Sequence, residues 1–177
     1  MSIFRRIFPW LKLPALGLFM GASLHTACQD ANHSEDFRKT LNGLYKFSVP
    51  LMTTSQARDS VLQGDWAVLD ARAYKEFAVS RIPGAVWSDY DAFPKCELPA
   101  DKSAPILVYC TVGYRSERIG EKLKKMGYSK VYNLDGGIIG WGNQGAPLED
   151  GSGKPTQKVH TYNRSWSRWL TRGTPVY

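Results

Sequence analysis

The 177-residue sequence predicts a three-layer α/β domain built on a mainly parallel sheet of about five strands. Three observations lead there. Trp66–Leu69 is a continuous apolar run, the pattern of a strand covered on both faces, Ile106–Tyr109 is a second apolar run, and Val131-Tyr132-Asn133-Leu134 reads as a further short strand. Stretches of helical spacing lie between them, so strand and helix alternate along the chain. Glycine and proline punctuate the joins, as in Gln63-Gly64-Asp65 and Ile82-Pro83-Gly84-Ala85.

Met1 to Cys28 has the make-up of an export leader: basic Arg5 and Arg6, an uncharged run from Leu13 to Leu24, and small residues up to Ala27. The run is short of the ~20 residues a spanning helix needs. Residues 1–27 are therefore expected to be a signal peptide, and the protein to be exported, either periplasmic or held at a membrane as a lipoprotein. Cys28 is the candidate lipidation site, because a small residue followed by Cys is similar to lipoprotein signals. His25 departs from that pattern, where an aliphatic residue is usual. Simple cleavage, lipidation and a retained anchor all stay open. Residues 28–43 are polar and read as a tether, with His33 solvent-exposed.

The folded domain is expected over residues 44–150. Leu44 to Met52 reads as an early strand, and Thr53 with Gln56 as a capping box opening a helix that runs to about Leu62. The strand at 66–69 delivers Asp70 and Arg72 at its carboxyl end, where open α/β sheets place ligands. Asp70 fixes local backbone or pairs with an arginine; Arg72 either orients an anion or pairs with an acid. Ala73 to Val79 is a short helix, and Ile82-Pro83-Gly84-Ala85 turns into a strand ending at Trp87. The connector from Asp89 to Asp101 holds Cys96, a semi-buried small hydrophobe or, alternatively, the disulfide partner of Cys110. After the strand at 106–109, Ile119, Leu123 and Met126 mark the inner face of a helix ended by Gly127. Asp135-Gly136-Gly137 then turns into a short helix carrying Trp141 to the core.

Residues 151–177 form a carboxy-terminal extension. Lys158 to Tyr162 is strand-like, and Asn163 caps a helix expected to reach Thr171, with Trp166, Trp169 and Leu170 on one side. So aromatic a segment packs on something: its own domain, a partner protein or anionic lipid. Charge is concentrated at the two ends, +3 over residues 1–27 and +5 over 151–177, leaving −1 between them. The overall +7 thus describes leader and tail and no basic catalytic face, and an exported chain has no nucleic acid to bind.

The chemistry centres on Cys110-Thr111-Val112-Gly113-Tyr114-Arg115, between the strand at 106–109 and the helix that follows. A cysteine there faces unpaired helix-start N–H groups and the positive end of the dipole, both of which favour thiolate. Gly113 lets the loop curl so that amides turn inward, and Arg115 closes the ring with a fixed charge. Thr111, Val112 and Tyr114 complete an anion-binding loop with Cys110 as nucleophile at its base.

Cys110 to Arg115 with four residues between resembles the active loop of rhodanese-type sulfurtransferases. Three further blocks occur in the family's order: Leu69-Asp70-Ala71-Arg72 with Tyr74-Lys75-Glu76-Phe77, Arg81-Ile82-Pro83-Gly84-Ala85, and Tyr132-Asn133-Leu134-Asp135-Gly136-Gly137 with Trp141. The resemblance spans about residues 53–148. It implies that Cys110 takes a sulfane sulfur from a small sulfur-containing anion such as thiosulfate, and passes it from a persulfide to a thiol, a protein sulfur acceptor or cyanide. No metal or organic cofactor is implied. A phosphatase or arsenate reductase, with a similar thiolate cradle, is the second enzymatic reading, but cysteine phosphatases have five residues between Cys and Arg, a wider ring for a tetrahedral oxyanion. A persulfide carrier serving another protein, or a rhodanese-like binding module without catalysis, are the other readings.

Overall fold

The computed structural model describes residues 33–62 and 64–177. The leader, its expected cleavage point and Cys28 lie outside the described residues. In chain order the elements are α1 (Glu35–Leu44), β1 (Leu51–Met52), α2 (Thr54–Leu62), β2 (Ala67–Asp70), α3 (Tyr74–Val79), β3 (Val86–Trp87) and β4 (Ile106–Tyr109). They continue with α4 (Tyr114–Lys125), β5 (Val131–Leu134), α5 (Gly137–Asn143), β6 (Lys158–His160), α6 (Arg164–Ser167) and β7 (Thr174–Val176).

Five strands pair in the order β1-β5-β4-β2-β3, every pair parallel. The period of two along β4 sorts its buried side chains between two cores. Ile106 and Val108 face Ile119 and Leu123 of α4, with Val49 and Val131 beside them. Leu107 and Tyr109 face the other way, toward Ala57 of α2 and Ile138 and Trp141 of α5. Helix, sheet and helix thus form the three layers. The capping box at the start of α2 is present in both directions: the Thr53 N–H donates to Gln56 Oε1 and the Gln56 N–H to Thr53 Oγ1. Gly127, at φ +91°, ends α4 in the left-handed region. Met126 is exposed rather than inward, and Tyr128 fills the place below Leu123.

The polar tether expected over residues 28–43 is corrected from residue 35 onward. Ser34 accepts the Phe37 N–H as an N-cap, and α1 buries Phe37 and Leu41. The next residues extend that face, with Tyr45 buried and Leu44 packed beside it. This stripe at four- and three-residue spacing is enough to dock a helix whose other residues are polar. His33, expected in solvent, has its side chain 1% exposed, 3.8 Å from Asp135 and against Gly136 and Gly140. The early strand is only β1; residues 45–50 run irregularly into it.

The tail packs on its own domain. β6 and β7 pair in parallel, which requires a crossover of a dozen or so residues, and the segment holding α6 supplies it. Asn163 caps α6 through the Trp166 N–H, but the helix ends at Ser167 and not at Thr171. Val159 is fully buried in the main core, and Trp169 stacks on Phe37 with ring centroids 5.3 Å apart. Asn143 binds the tail at both ends of its amide, donating to Trp169 O at 2.8 Å and accepting the Thr171 N–H at 2.7 Å. Among the described residues no helix is long and apolar enough to cross a membrane.

Removing residues 156–177 should therefore uncover α1 and α5 together. Val159 is fully buried, worth ~1.5–3 kcal/mol, and the partly buried Trp169 and Leu170 each add a fraction of that, so the loss amounts to a few kcal/mol. Urea denaturation should show it as a lower midpoint; an unchanged midpoint would contradict this packing.

Candidate active site

The loop from Cys110 to Gly113 leaves the carboxyl end of β4 beside Asp70 at the end of β2, the sheet edge where ligands gather. Gly113 is the N-cap of α4 at φ +103°, and a Cβ there would stand 2.5 Å from the Tyr45 hydroxyl. Backbone conformation and close approach each require glycine. Its N–H donates to Cys110 Sγ at 3.2 Å. The carbonyls of the loop are tied down from outside. Cys110 O and Thr111 O accept the Ile138 and Ile139 N–H groups at the start of α5. Val112 O accepts from the Tyr45 hydroxyl at 2.7 Å, and Gly113 O from Asn133 Nδ2 at 3.0 Å. Tyr45 also accepts the Gly136 N–H at 3.0 Å. Burial, and then the charge of Asp135, push its phenol well above the ordinary value, so it remains a donor.

Arg115 does not stand as an open charge. Its guanidinium makes two 3.0 Å bonds to the carboxylate of Glu76 and a third, at 2.9 Å, to Thr111 Oγ1. The Thr111 hydroxyl donates to the same carboxylate at 3.2 Å. Burial acts to raise the Glu76 pKa, but the bonds and charge of Arg115 outweigh it and hold the carboxyl below its usual range. Burial likewise opposes the charge on Arg115, and Glu76 more than restores it. Glu76 has no exposed surface and is the site residue whose part the sequence did not reveal. Its place at the third position of α3, bonded to the Ala73 N–H at 3.1 Å, is the available signal.

Arg72 pairs with the acid. It meets Asp70 through Nε and Nη2, at 2.9 and 2.6 Å, and donates from Nη2 to Ser80 O, with both side chains fully buried. The pair braces the end of β2 against α3 and lies beneath the loop. His160, from the tail, is 4.0 Å from Glu76, and its Nδ1 accepts the Tyr162 N–H at 3.2 Å. Burial lowers its pKa, and the positive charges of Arg72, Lys75 and Arg115 together with burial outweigh the opposing pull of Glu76. Cys96 and Cys110 are both free thiols; burial raises the Cys96 pKa.

Above Cys110 opens a cavity of about 520 Å³. Its walls come from Leu44, Ala73, Lys75, Glu76, Tyr90, Asp91, the loop, and Tyr162 and Trp166 of the tail. The Tyr162 ring lies over the Arg115 guanidinium at 5.3 Å.

Residues 53–144 match the family model for the rhodanese-like domain. The chain is 30% identical over 102 residues to thiosulfate sulfurtransferase GlpE of Actinobacillus succinogenes, covering 58% of this chain and 92% of that protein. It is 36% identical over 99 residues to the tRNA uridine(34) hydroxylase of Shouchella clausii, 51% of this chain but 30% of the hydroxylase. The chain thus spans less than a third of the length of the hydroxylases it matches. Its fold is similar to that of thiosulfate sulfurtransferase from Pseudomonas aeruginosa, with TM-score 0.53 and 22% identity over 65% of this chain and 23% of that one.

The neutral His160 has a stability signature. Its native pKa lies below the ordinary 6.5, so the unfolded chain binds a proton that the native state refuses. Stability should fall as pH drops from about 6.5 toward the lowered native value. His160→Asn, which keeps an acceptor for the Tyr162 N–H, should flatten that part of the profile in urea titrations between about pH 5 and 8. An unchanged slope would refute this assignment.

Proposed function

Because the chain belongs to the rhodanese-like domain family, we propose that it is a sulfurtransferase working through a persulfide on Cys110. One observation carries this: a free cysteine at the base of a backbone loop whose carbonyls are all held from outside while an amide points at the sulfur. The Cys110 thiolate attacks the sulfane sulfur of a donor such as thiosulfate. The donor S–S bond breaks, sulfite leaves with the electron pair, and the sulfur stays on Cys110 as a persulfide. An acceptor thiolate or cyanide then attacks the outer sulfur, and the Cys110 thiolate departs. The Gly113 amide and the start of α4 stabilise negative charge in both steps. Arg115 works as one member of a network with Glu76 and Thr111, shaping the loop as well as adding charge.

The shared segment makes up under a third of the hydroxylases, so the likeness to them supports a common domain, and hydroxylation is no part of the proposal. With four residues between Cys110 and Arg115 the ring suits a single outer sulfur better than a phosphoryl group. The leader composition supports export, with a mature chain starting at or near Cys28; mass analysis of the purified amino terminus would show it, and intact residues 1–27 would overturn it.

Incubating the reduced protein with thiosulfate should add about 32 Da, one sulfur atom, at Cys110. Cys110→Ser should abolish transfer, and Arg115→Ala should lower it by on the order of tenfold or more. Phosphatase activity should be negligible. If no donor adds sulfur to a reduced Cys110, the assignment fails and a non-catalytic binding module takes its place.

A further inference from the structure

We propose that the cavity above Cys110 is built for an organic thiol, or its persulfide, with an apolar body the size of a ring, and that the carboxy-terminal segment supplies its selective wall. This rests on the sulfur-transfer reading and names the substrate class of that same site.

The wall has its own origin. Tyr162 and Trp166 come from beyond the family match at residues 53–144, and Leu44 comes from before it. Together with Val112 and Tyr114 of the loop they give the cavity a largely apolar and aromatic lining. Its volume of about 520 Å³ lies within the ~300–1,000 Å³ of organic ligand sites, far more than a small inorganic anion fills. Charge argues the same way. Lys75 and Arg115 are matched within the cavity by Glu76 and Asp91, and Arg115 is already bonded to Glu76 at two points. The wall beyond the loop therefore carries no excess positive charge to select small anions over organic thiols, and an apolar body is not penalised there, while the Gly113 amide and the start of α4 still serve the reacting sulfur at its base.

Tyr162 is also placed by construction. It sits at φ +71°, unusual for a residue with a side chain, and one backbone and one side-chain acceptor hold the segment there. The Thr161 N–H bonds to Val176 O at 2.8 Å, and the Tyr162 N–H to His160 Nδ1 at 3.2 Å. The ring is left 54% exposed, at the cavity mouth and over Arg115, where one face is open to a ligand.

The step balances without an added oxidant or reductant. Cys110 S⁻ attacks the outer sulfur of R–S–SH, the S–S bond breaks, R–S⁻ leaves with the electron pair, and Cys110–S–SH forms. The reverse reaction delivers sulfur to the organic thiol.

The test loads Cys110 with sulfur in the full chain and follows its discharge by benzyl mercaptan and by 2-mercaptoethanol, both alkyl thiols. The kcat/KM for the benzyl thiol should exceed that for mercaptoethanol by about tenfold or more. Tyr162→Ala should reduce that ratio to about threefold or less, and Tyr162→Phe should retain it. Equal rates in the wild type, or an undiminished ratio in Tyr162→Ala, would overturn the inference while leaving sulfur transfer intact. Should Cys110 accept no sulfur, binding of S-benzylcysteine by calorimetry decides. Binding weakened by Tyr162→Ala supports the pocket although the transfer reading fails, and no binding overturns the pocket as well.

Discussion

A four-residue loop curled to aim the Gly113 amide at a sulfur turns its carbonyls the other way, into the protein interior. Buried carbonyls must be bonded, so the loop can exist only where donors are waiting for it. That requirement explains elements that otherwise look unrelated. The start of α5 serves Cys110 and Thr111 through its first amides. Asn133, in the neighbouring strand, serves Gly113 and is itself held by the Ser116 hydroxyl at 2.7 Å. Tyr45 serves Val112 and simultaneously takes the Gly136 amide, which links the segment after α1 to both the loop and the turn before α5. Gly137 completes the set, because a Cβ at that point would stand 2.5 Å from Cys110 O.

The electrostatics follow from the same crowding. An arginine that closes such a ring while partly buried needs an acid, and Glu76 meets both its nitrogens. Buried in turn, Glu76 depends on Arg115, Thr111 and the Ala73 amide to remain ionised. His160 approaches this carboxylate as a neutral acceptor for the tail backbone, so the tail and α3 share one polar network. The site is therefore locally balanced in charge, and the stabilisation of negative charge at Cys110 that the proposed function calls on would come from the Gly113 amide and the start of α4 more than from a surplus of cations.

The sheet, its order of helices and the cysteine loop were legible in the sequence because each is encoded locally: continuous apolar runs, a capping box at Thr53 and Gln56, and a cysteine followed by Gly113 at a strand-to-helix join. The misses share a different character. In α1 the inward stripe of Phe37, Leu41 and Leu44 is diluted by polar neighbours, and its meaning depends on a partner, Trp169, that is distant in sequence. Glu76 looks like any carboxylate on a short amphipathic helix until Arg115 is folded onto it. β7 contains Pro175 and is only three residues long, so its parallel pairing with β6 is a tertiary fact with little local signal. Asp70 is expected to hold backbone or meet an arginine, and Arg72 to orient an anion or meet an acid; with only Ala71 between them in the chain, the two meet each other.

Cys110 is only 1% exposed, at the base of a cavity whose mouth is walled by α1 and the tail. A sulfur atom added to it, as the proposed function requires, would project into that space and not into bulk solvent. Random encounters with dissolved thiols, oxidants and metal ions are thereby filtered by shape before any bond is made. Under the sulfur-transfer proposal, the lifetime of the loaded protein would depend on which molecules fit the opening, and the tail that stabilises the fold would also bear on how long the cargo is kept.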